Sequence, residues 1–180
     1  MGAIVEAVYG CRARRWPVQE GSIALSVRAA RESLRLAHRD ATEMEVLINT
    51  GVFRDKNISE PAIASFIQRD IGATPSCGEP GDPSTFSFDL ANGCCGFLNG
   101  IEIVSGFLHS GRAGCGMVVT SDVDPTPKAS RGLLFAPTGA ALVLAPGSPD
   151  RGFAEFHHES FSKHSHLLRS RILWIGDEVS

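Results

Sequence analysis

Apolar residues recur every second position in some stretches of the chain and every third or fourth in others, and the two kinds of stretch alternate. Ala3 to Tyr9 reads as a short apolar strand, and Cys11 to Gly21 as a basic, irregular segment around Trp16-Pro17. Ser22 can cap a helix whose Ile23, Val27, Ala30 and Leu34 lie on one face, with His38-Arg39-Asp40 at its end. Glu45 to Thr50 predicts a buried strand and Pro61 to Ile71 a second helix, stopped by Gly72. Thr74 to Ser84, rich in Gly, Pro and Ser, predicts a loop. Phe86, Phe88 and Leu90 then alternate with smaller or polar residues, Asn92-Gly93 permits a sharp turn, and helical spacing resumes through Phe97, Ile101, Val104 and Leu108 up to Gly111. Met117 to Ser121 and Ala140 to Leu144 complete the strands. This order predicts an α/β layer with a mostly parallel or mixed sheet.

The junction at Asn92-Gly93-Cys94-Cys95-Gly96-Phe97 combines the end of a strand, small residues, a thiol and the start of a helix. At a helix N-terminus the peptide dipoles favour a thiolate, and a thiolate attacks thioesters well. Cys94 and Cys95 are equally readable as small, reduced, buried residues, a common fate of cysteine. The helix after them is apolar on more than one stripe: Phe97, Leu98, Ile101, Ile103, Val104, Phe107 and Leu108, with Gly96, Gly100 and Gly106 permitting close approach. Such a helix is expected to be buried on several sides.

Composition narrows the class. A chain of 180 residues can bury one good core. Its net charge of -3 gives no electrostatic reason to expect nucleic acid or an anionic membrane. No apolar run reaches the roughly 18 residues of a membrane span, and the N-terminus lacks the order of a signal peptide, so a cytoplasmic location is expected. Five cysteines without metal-type spacing predict reduced thiols. His157-His158 and His164-x-His166 near the C-terminus lack a zinc spacing and read as solvated pairs, with no metal expected.

The stretch Asp89 to Phe97, followed by the amphipathic helix and Cys115-Gly-Met-Val-Val-Thr-Ser-Asp122, resembles the nucleophile region of thiolase-superfamily condensing enzymes, above all ketoacyl-acyl-carrier-protein synthase III. The family segment Asp-x-x-x-x-Cys-x-Gly-Phe places the acyl-accepting cysteine on Cys94. Leu47-Ile-Asn-Thr-Gly-Val-Phe-Arg-Asp55 and Glu60-Pro61-Ala62-Ile63-Ala64 are similar to the acyl-CoA-condensing thiolases of long-chain olefin biosynthesis. There a glutamate before a proline crosses the dimer interface as the base of the partner's site, and Glu60 matches it. Ser59-Glu60-Pro61 reads as well as an ordinary helix start, with proline in the first turn and an acidic residue near the positive end of the dipole.

The resemblance implies a thiolase-like N-terminal half over residues 1–150, with 151–180 as the start of the C-terminal half or a docking tail. In the thiolase fold the nucleophile helix lies between two sheets, and the C-terminal half supplies the catalytic histidine, its companion asparagine or second histidine, and an oxyanion donor. None of these can be carried over onto this sequence, so a second chain or self-association is expected to complete the fold and cover its apolar face. Acyl-CoA or acyl carrier protein is implied as substrate, with no cofactor. Trp16, Arg14 and Arg15 stand where the family has a longer insertion that holds the CoA adenine. Phe135-Ala-Pro-Thr-Gly-Ala140 replaces a glycine-aspartate-glycine turn, and Pro137 removes a backbone donor there. Leu167 to Ile175 reads as a remnant of the linker between halves or a docking segment. The function implied is Claisen condensation of acyl thioesters through Cys94; the alternative is a non-catalytic thiolase-like subunit that stabilises or regulates a condensing enzyme.

Overall fold

In a computed structural model of the chain, the described residues are 2–14, 20–74, 84–124, 136–148, 150–153 and 155–167. The elements follow the predicted order: β1 (Ala3–Arg12), α1 (Ser22–Ala37), β2 (Val46–Asn49), α2 (Ile63–Ile71), β3 (Phe86–Asp89), α3 (Gly96–His109), β4 (Gly116–Asp122) and β5 (Thr138–Pro146). The strands form one mixed sheet in the order β1-β5-β4-β2-β3, with β2 parallel to both β3 and β4, and β5 antiparallel to β4 and β1.

Two crossovers fix where the helices go. The β2-α2-β3 connection steps one way across the sheet, and β3-α3-β4 steps back over β2. Because such crossovers are right-handed, reversing direction puts α3 on the face opposite α2. Strand residues alternate accordingly. Leu47, Met117, Val119, Ala141 and Val143 pack against α1 and α2 through Leu34, Ile63 and Ile67. Val46, Ile48, Val118, Leu142 and Leu144 pack against Ile101, Val104 and Leu108 of α3. All four residues of β2 are buried, as expected of a central strand covered on both faces.

Helix α3 meets β4 closely. A Cβ on Gly100 would lie 2.9 Å from Val118 Cγ1, and one on Gly116 only 2.5 Å from Val104 Cγ1. Gly106, expected to serve the same purpose, faces open space. The buried side of α3 is Gly96, Gly100, Ile101, Val104, Ser105 and Leu108. Leu98 is 63% exposed, Phe97, Ile103 and Phe107 are half-buried, and the edge residue Phe86 is 57% exposed. In this chain, then, the helix is buried along the sheet and open on its outer side. The segment after β5 leans on that region: Phe153 N–H donates to the Ala3 carbonyl (2.8 Å), Phe153 and Phe156 pack on the α3 cluster, and His158 Nε2 lies 2.9 Å from Glu102 Oε2.

The helix starts differ from the sequence expectation. Ser22 is the first residue of α1 rather than its cap, and α2 begins at Ile63 rather than Pro61. Neither start carries a capping side chain of its own. Both are capped from a distance by aspartates: Asp55 accepts from Ser22 N–H (2.7 Å) and Ile23 N–H (3.1 Å), and Asp89 accepts from Ile63 and Ala64 N–H (2.9 Å each). A carboxylate there satisfies orphan donors and complements the positive end of the helix dipole. Pro137 sits beside β5, where its carbonyl accepts from Ala13 N–H (2.9 Å) and prolongs the pairing with β1. Arg15, Trp16, Phe135, the loop 75–83 and the segment beyond Leu167 lie outside the described residues.

Candidate active site

Strands β2, β3 and β4 are parallel, so their carboxyl ends, Asn49, Asp89 and Asp122, lie along one edge of the sheet. In open α/β sheets this edge, where successive crossovers leave on opposite faces, is where ligand sites form. The turn with Cys94 and the segment with Glu60 both leave from it.

After Asp89 the chain crosses Leu90 and Asn92 into a short 3₁₀ turn, Gly93–Cys95, and α3 follows directly. Gly93 adopts φ +48°, a left-handed conformation that its missing Cβ permits. Cys94 therefore lies in the turn before the helix, and Cys95 is the N-cap. Leu90 N–H donates to the Asn49 carbonyl (2.8 Å) and Cys95 N–H to the Asn92 carbonyl (3.0 Å), tying the turn to the strand end. Asn92 Nδ2 donates to Asn99 Oδ1 (2.6 Å), which ties the turn to the helix.

The described cysteines separate by environment. Cys94 and Cys95 are exposed, Cys11 is half-buried and Cys115 is buried. Burial pushes the Cys115 thiol up to about 12, and its sulfur lies 3.9 Å from Met44 Sδ. Burial also raises the Cys11 thiol above its ordinary value. The reading of Cys94 and Cys95 as buried core residues does not hold.

Glu60 is exposed, in the turn that leads into α2. No hydrogen bond joins it to Cys94. Its segment is held firmly upstream. Val52 and Phe53 N–H donate to Asp122 Oδ1 (2.8 and 2.7 Å), Gly51 N–H donates to Asn49 Oδ1 (3.3 Å), and the Asp55 carboxylate accepts from the start of α1 as above.

The largest polar construction at this edge centres on Asp89. Its carboxylate accepts from Asn49 Nδ2 (3.1 Å) and from the two α2 amides, and pairs with Arg54 Nη1 at 2.8 Å. Arg54 Nε also reaches the Gly51 carbonyl (3.2 Å). Sequence reasoning placed Arg54 and Asp89 inside motifs without giving them a role. The signal available was a charged residue at the end of one strand, Asp89, and another five positions past the end of the buried strand β2, Arg54. Among the described residues no three His, Cys, Asp or Glu side chains converge to hold a metal ion. No helix of the described residues is long and apolar enough to cross a membrane.

Residues 88–161 match the family model of 3-oxoacyl-[acyl-carrier-protein] synthase III. The chain is 32% identical over 116 residues to an acyl-CoA:acyl-CoA alkyltransferase of Xanthomonas campestris, covering 64% of this chain and 31% of that protein. It is 28% identical over 159 residues to a β-ketoacyl-[acyl-carrier-protein] synthase III of Deinococcus deserti, covering 86% and 42%. The chain thus spans less than half the length of either relative. Among solved structures it resembles Xanthomonas campestris OleA, with a TM-score of 0.66 at 18% identity over 81% of this chain and 56% of that one. A cysteine-to-serine variant of the same protein with bound lauric acid and lauroyl-CoA gives a TM-score of 0.64 at 19% identity, over 81% and 57%.

Proposed function

From a chain that belongs to the thiolase superfamily of condensing enzymes, in its ketoacyl-acyl-carrier-protein synthase III type, we propose that Cys94 accepts an acyl group from acyl-CoA or acyl carrier protein for Claisen condensation with a second thioester. The observation that carries this reading is the exposed Cys94 in the turn between β3 and α3, at the carboxyl edge of the parallel strands.

The chemistry is acyl transfer by a covalent intermediate, which divides one difficult step into two easier ones. The Cys94 thiolate attacks the thioester carbonyl, the tetrahedral adduct expels the CoA or carrier thiolate, and the acyl group stays on Cys94 Sγ. The second thioester then loses a proton from the carbon beside its carbonyl, and that carbon attacks the acyl-cysteine and releases Cys94. Glu60 serves as the base in a partner's site across a dimer interface. The acyl thioester is the substrate and the chemistry needs no cofactor.

The further residues of the reaction, a histidine with an asparagine or second histidine and an oxyanion donor, come from the C-terminal half of the fold. Residues 1–150 are then the thiolase-like half, and 151–180 its continuation into that half or a docking tail. The open outer side of α3, with Leu98 exposed and Gly106 facing space, supports a further layer on this face. The reaction belongs to the cytoplasm, where acyl thioesters are made and used.

The test is a condensation assay on residues 1–180 mixed with a chain that bears the C-terminal half of the fold, starting from an acyl-CoA. Cys94→Ser is expected to abolish product, and Glu60→Gln to reduce it strongly while leaving acylation of Cys94 intact. Full product formation with Cys94→Ser would overturn the reading and leave a subunit that supports another chain's chemistry.

A further inference from the structure

Arg54 grips the two segments that bracket Cys94. Its Nη1 lies 2.8 Å from Asp89 Oδ2, on the last residue of β3, five positions before the thiol. Its Nε donates to the Gly51 carbonyl at 3.2 Å. Gly51 is wedged against β4, since a Cβ there would lie 2.4 Å from the Ser121 carbonyl oxygen. Its neighbour Thr50 packs into the first turn of α3: a Cβ on Gly96 would lie 3.5 Å from Thr50 Cβ, and one on Gly100 3.2 Å from Thr50 Cγ2. One guanidinium thus holds the strand end that enters the turn and the loop that supports the helix leaving it.

We infer that Arg54 is a positioning residue for Cys94, acting through Asp89 on one side and through Gly51 and Thr50 on the other; this rests on the reading of Cys94 as the acyl acceptor. The pair is substantially enclosed, with Arg54 15% and Asp89 12% exposed. Its two links need the planar fork of arginine, because a lysine ammonium is a single point charge. Asp89 also caps α2 and meets Asn49, so its removal would test folding more than position. Arg54 leaves those bonds in place and is the residue to change.

The experiment follows acylation of the full chain by decanoyl-CoA by intact mass, for wild type, Arg54→Ala and Arg54→Lys, with circular dichroism as a control of fold. Misplacing a nucleophile by about 1 Å can cost a hundredfold in rate. Arg54→Ala is expected to lower the maximal rate by about tenfold or more, with the half-saturating decanoyl-CoA concentration little changed. Added methylguanidinium should restore part of that rate, and Arg54→Lys should fall between. A wild-type rate in Arg54→Ala, or a reduced one that methylguanidinium leaves unchanged, would overturn the inference. If Arg54→Ala does not fold, Arg54→Lys decides: a reduced rate with a native spectrum supports positioning, and a wild-type rate overturns it.

If wild type takes no acyl group even with the C-terminal half of the fold added, the acyl-acceptor reading fails. Positioning of the turn is then judged by iodoacetamide labelling, mapped to Cys94 and Cys95 separately. A changed ratio between them in Arg54→Ala supports it, and an unchanged ratio overturns it.

Discussion

Asp55 and Ser22 hold each other across 33 residues of sequence: the Ser22 N–H donates to Asp55 Oδ1 at 2.7 Å, and the Asp55 N–H donates to Ser22 Oγ at 3.0 Å. The exchange starts α1 and fixes the far end of the loop that leaves β2. Losing a capping side chain costs typically about 1 kcal/mol, up to about 2. Asp55→Ala is therefore expected to lower the thermal midpoint by about 2–4 °C for each kcal/mol lost in a domain of this size. An unchanged midpoint would mean that the start of α1 is satisfied by other means.

Two glycines on either side of the α3 contact should respond with opposite sign. Gly116→Ala drives a methyl against the fully buried Val104 and is expected to cost about 1–3 kcal/mol as overpacking. Gly106→Ala meets open space within a helix and is expected to stabilise this chain by up to about 1 kcal/mol. Denaturant midpoints of the two variants check both. Destabilisation by Gly106→Ala would show that the outer side of α3 is already covered, for example by self-association.

Glu20 accepts from Arg28 Nε (2.9 Å) and Nη2 (2.6 Å), and that bonding holds its carboxyl below the ordinary 4.5. The folded state keeps Glu20 ionised where the unfolded chain would protonate it, so the pair's contribution is present above about pH 4.5 and is lost as pH falls through the depressed value. Stability of wild type should thus drop more steeply than that of Glu20→Gln below that pH. Parallel acid limbs in the two stability curves would contradict this.

Thiol chemistry should divide the cysteines by burial. Mapped iodoacetamide labelling of the folded chain at pH 8 is expected to modify Cys94 and Cys95 and to spare Cys115. Because Cys115 is pushed up to about 12 from 9.0, it stays protonated in the folded state while the unfolded thiol ionises. Stability is therefore expected to fall as pH rises from about 9 toward 12, and Cys115→Ala to lose that part of the slope. Labelling of Cys115 at the rate of Cys94 would show that its site opens.

The element order was legible because period-two and period-three-to-four stretches are local properties of the chain, and the strand–turn–helix junction at Cys94 was legible for the same reason. The caps were not. Ser22 looked like the cap of α1 because a hydroxyl before an apolar run is the local signal, yet the acceptor comes from Asp55, on the far side of β2. Asp89 likewise closes a helix start 26 residues before it. Such partners are set by which strand ends share an edge, and that depends on the crossover order. The close approach expected of Gly96, Gly100 and Gly106 proved tight only at Gly100, since a helical repeat does not say which side meets the sheet. Glu60 was matched by motif, and the single chain leaves it exposed in the turn before α2.

The most direct measurement is the intact mass of the purified chain after exposure to acyl-CoAs of several chain lengths, beside Cys94→Ser and Cys95→Ser. An acyl adduct in wild type and Cys95→Ser that is absent from Cys94→Ser is the predicted result. An adduct that persists in Cys94→Ser, or none in any of the three folded chains even with the completing half present, would contradict the assignment of Cys94 as the acyl acceptor.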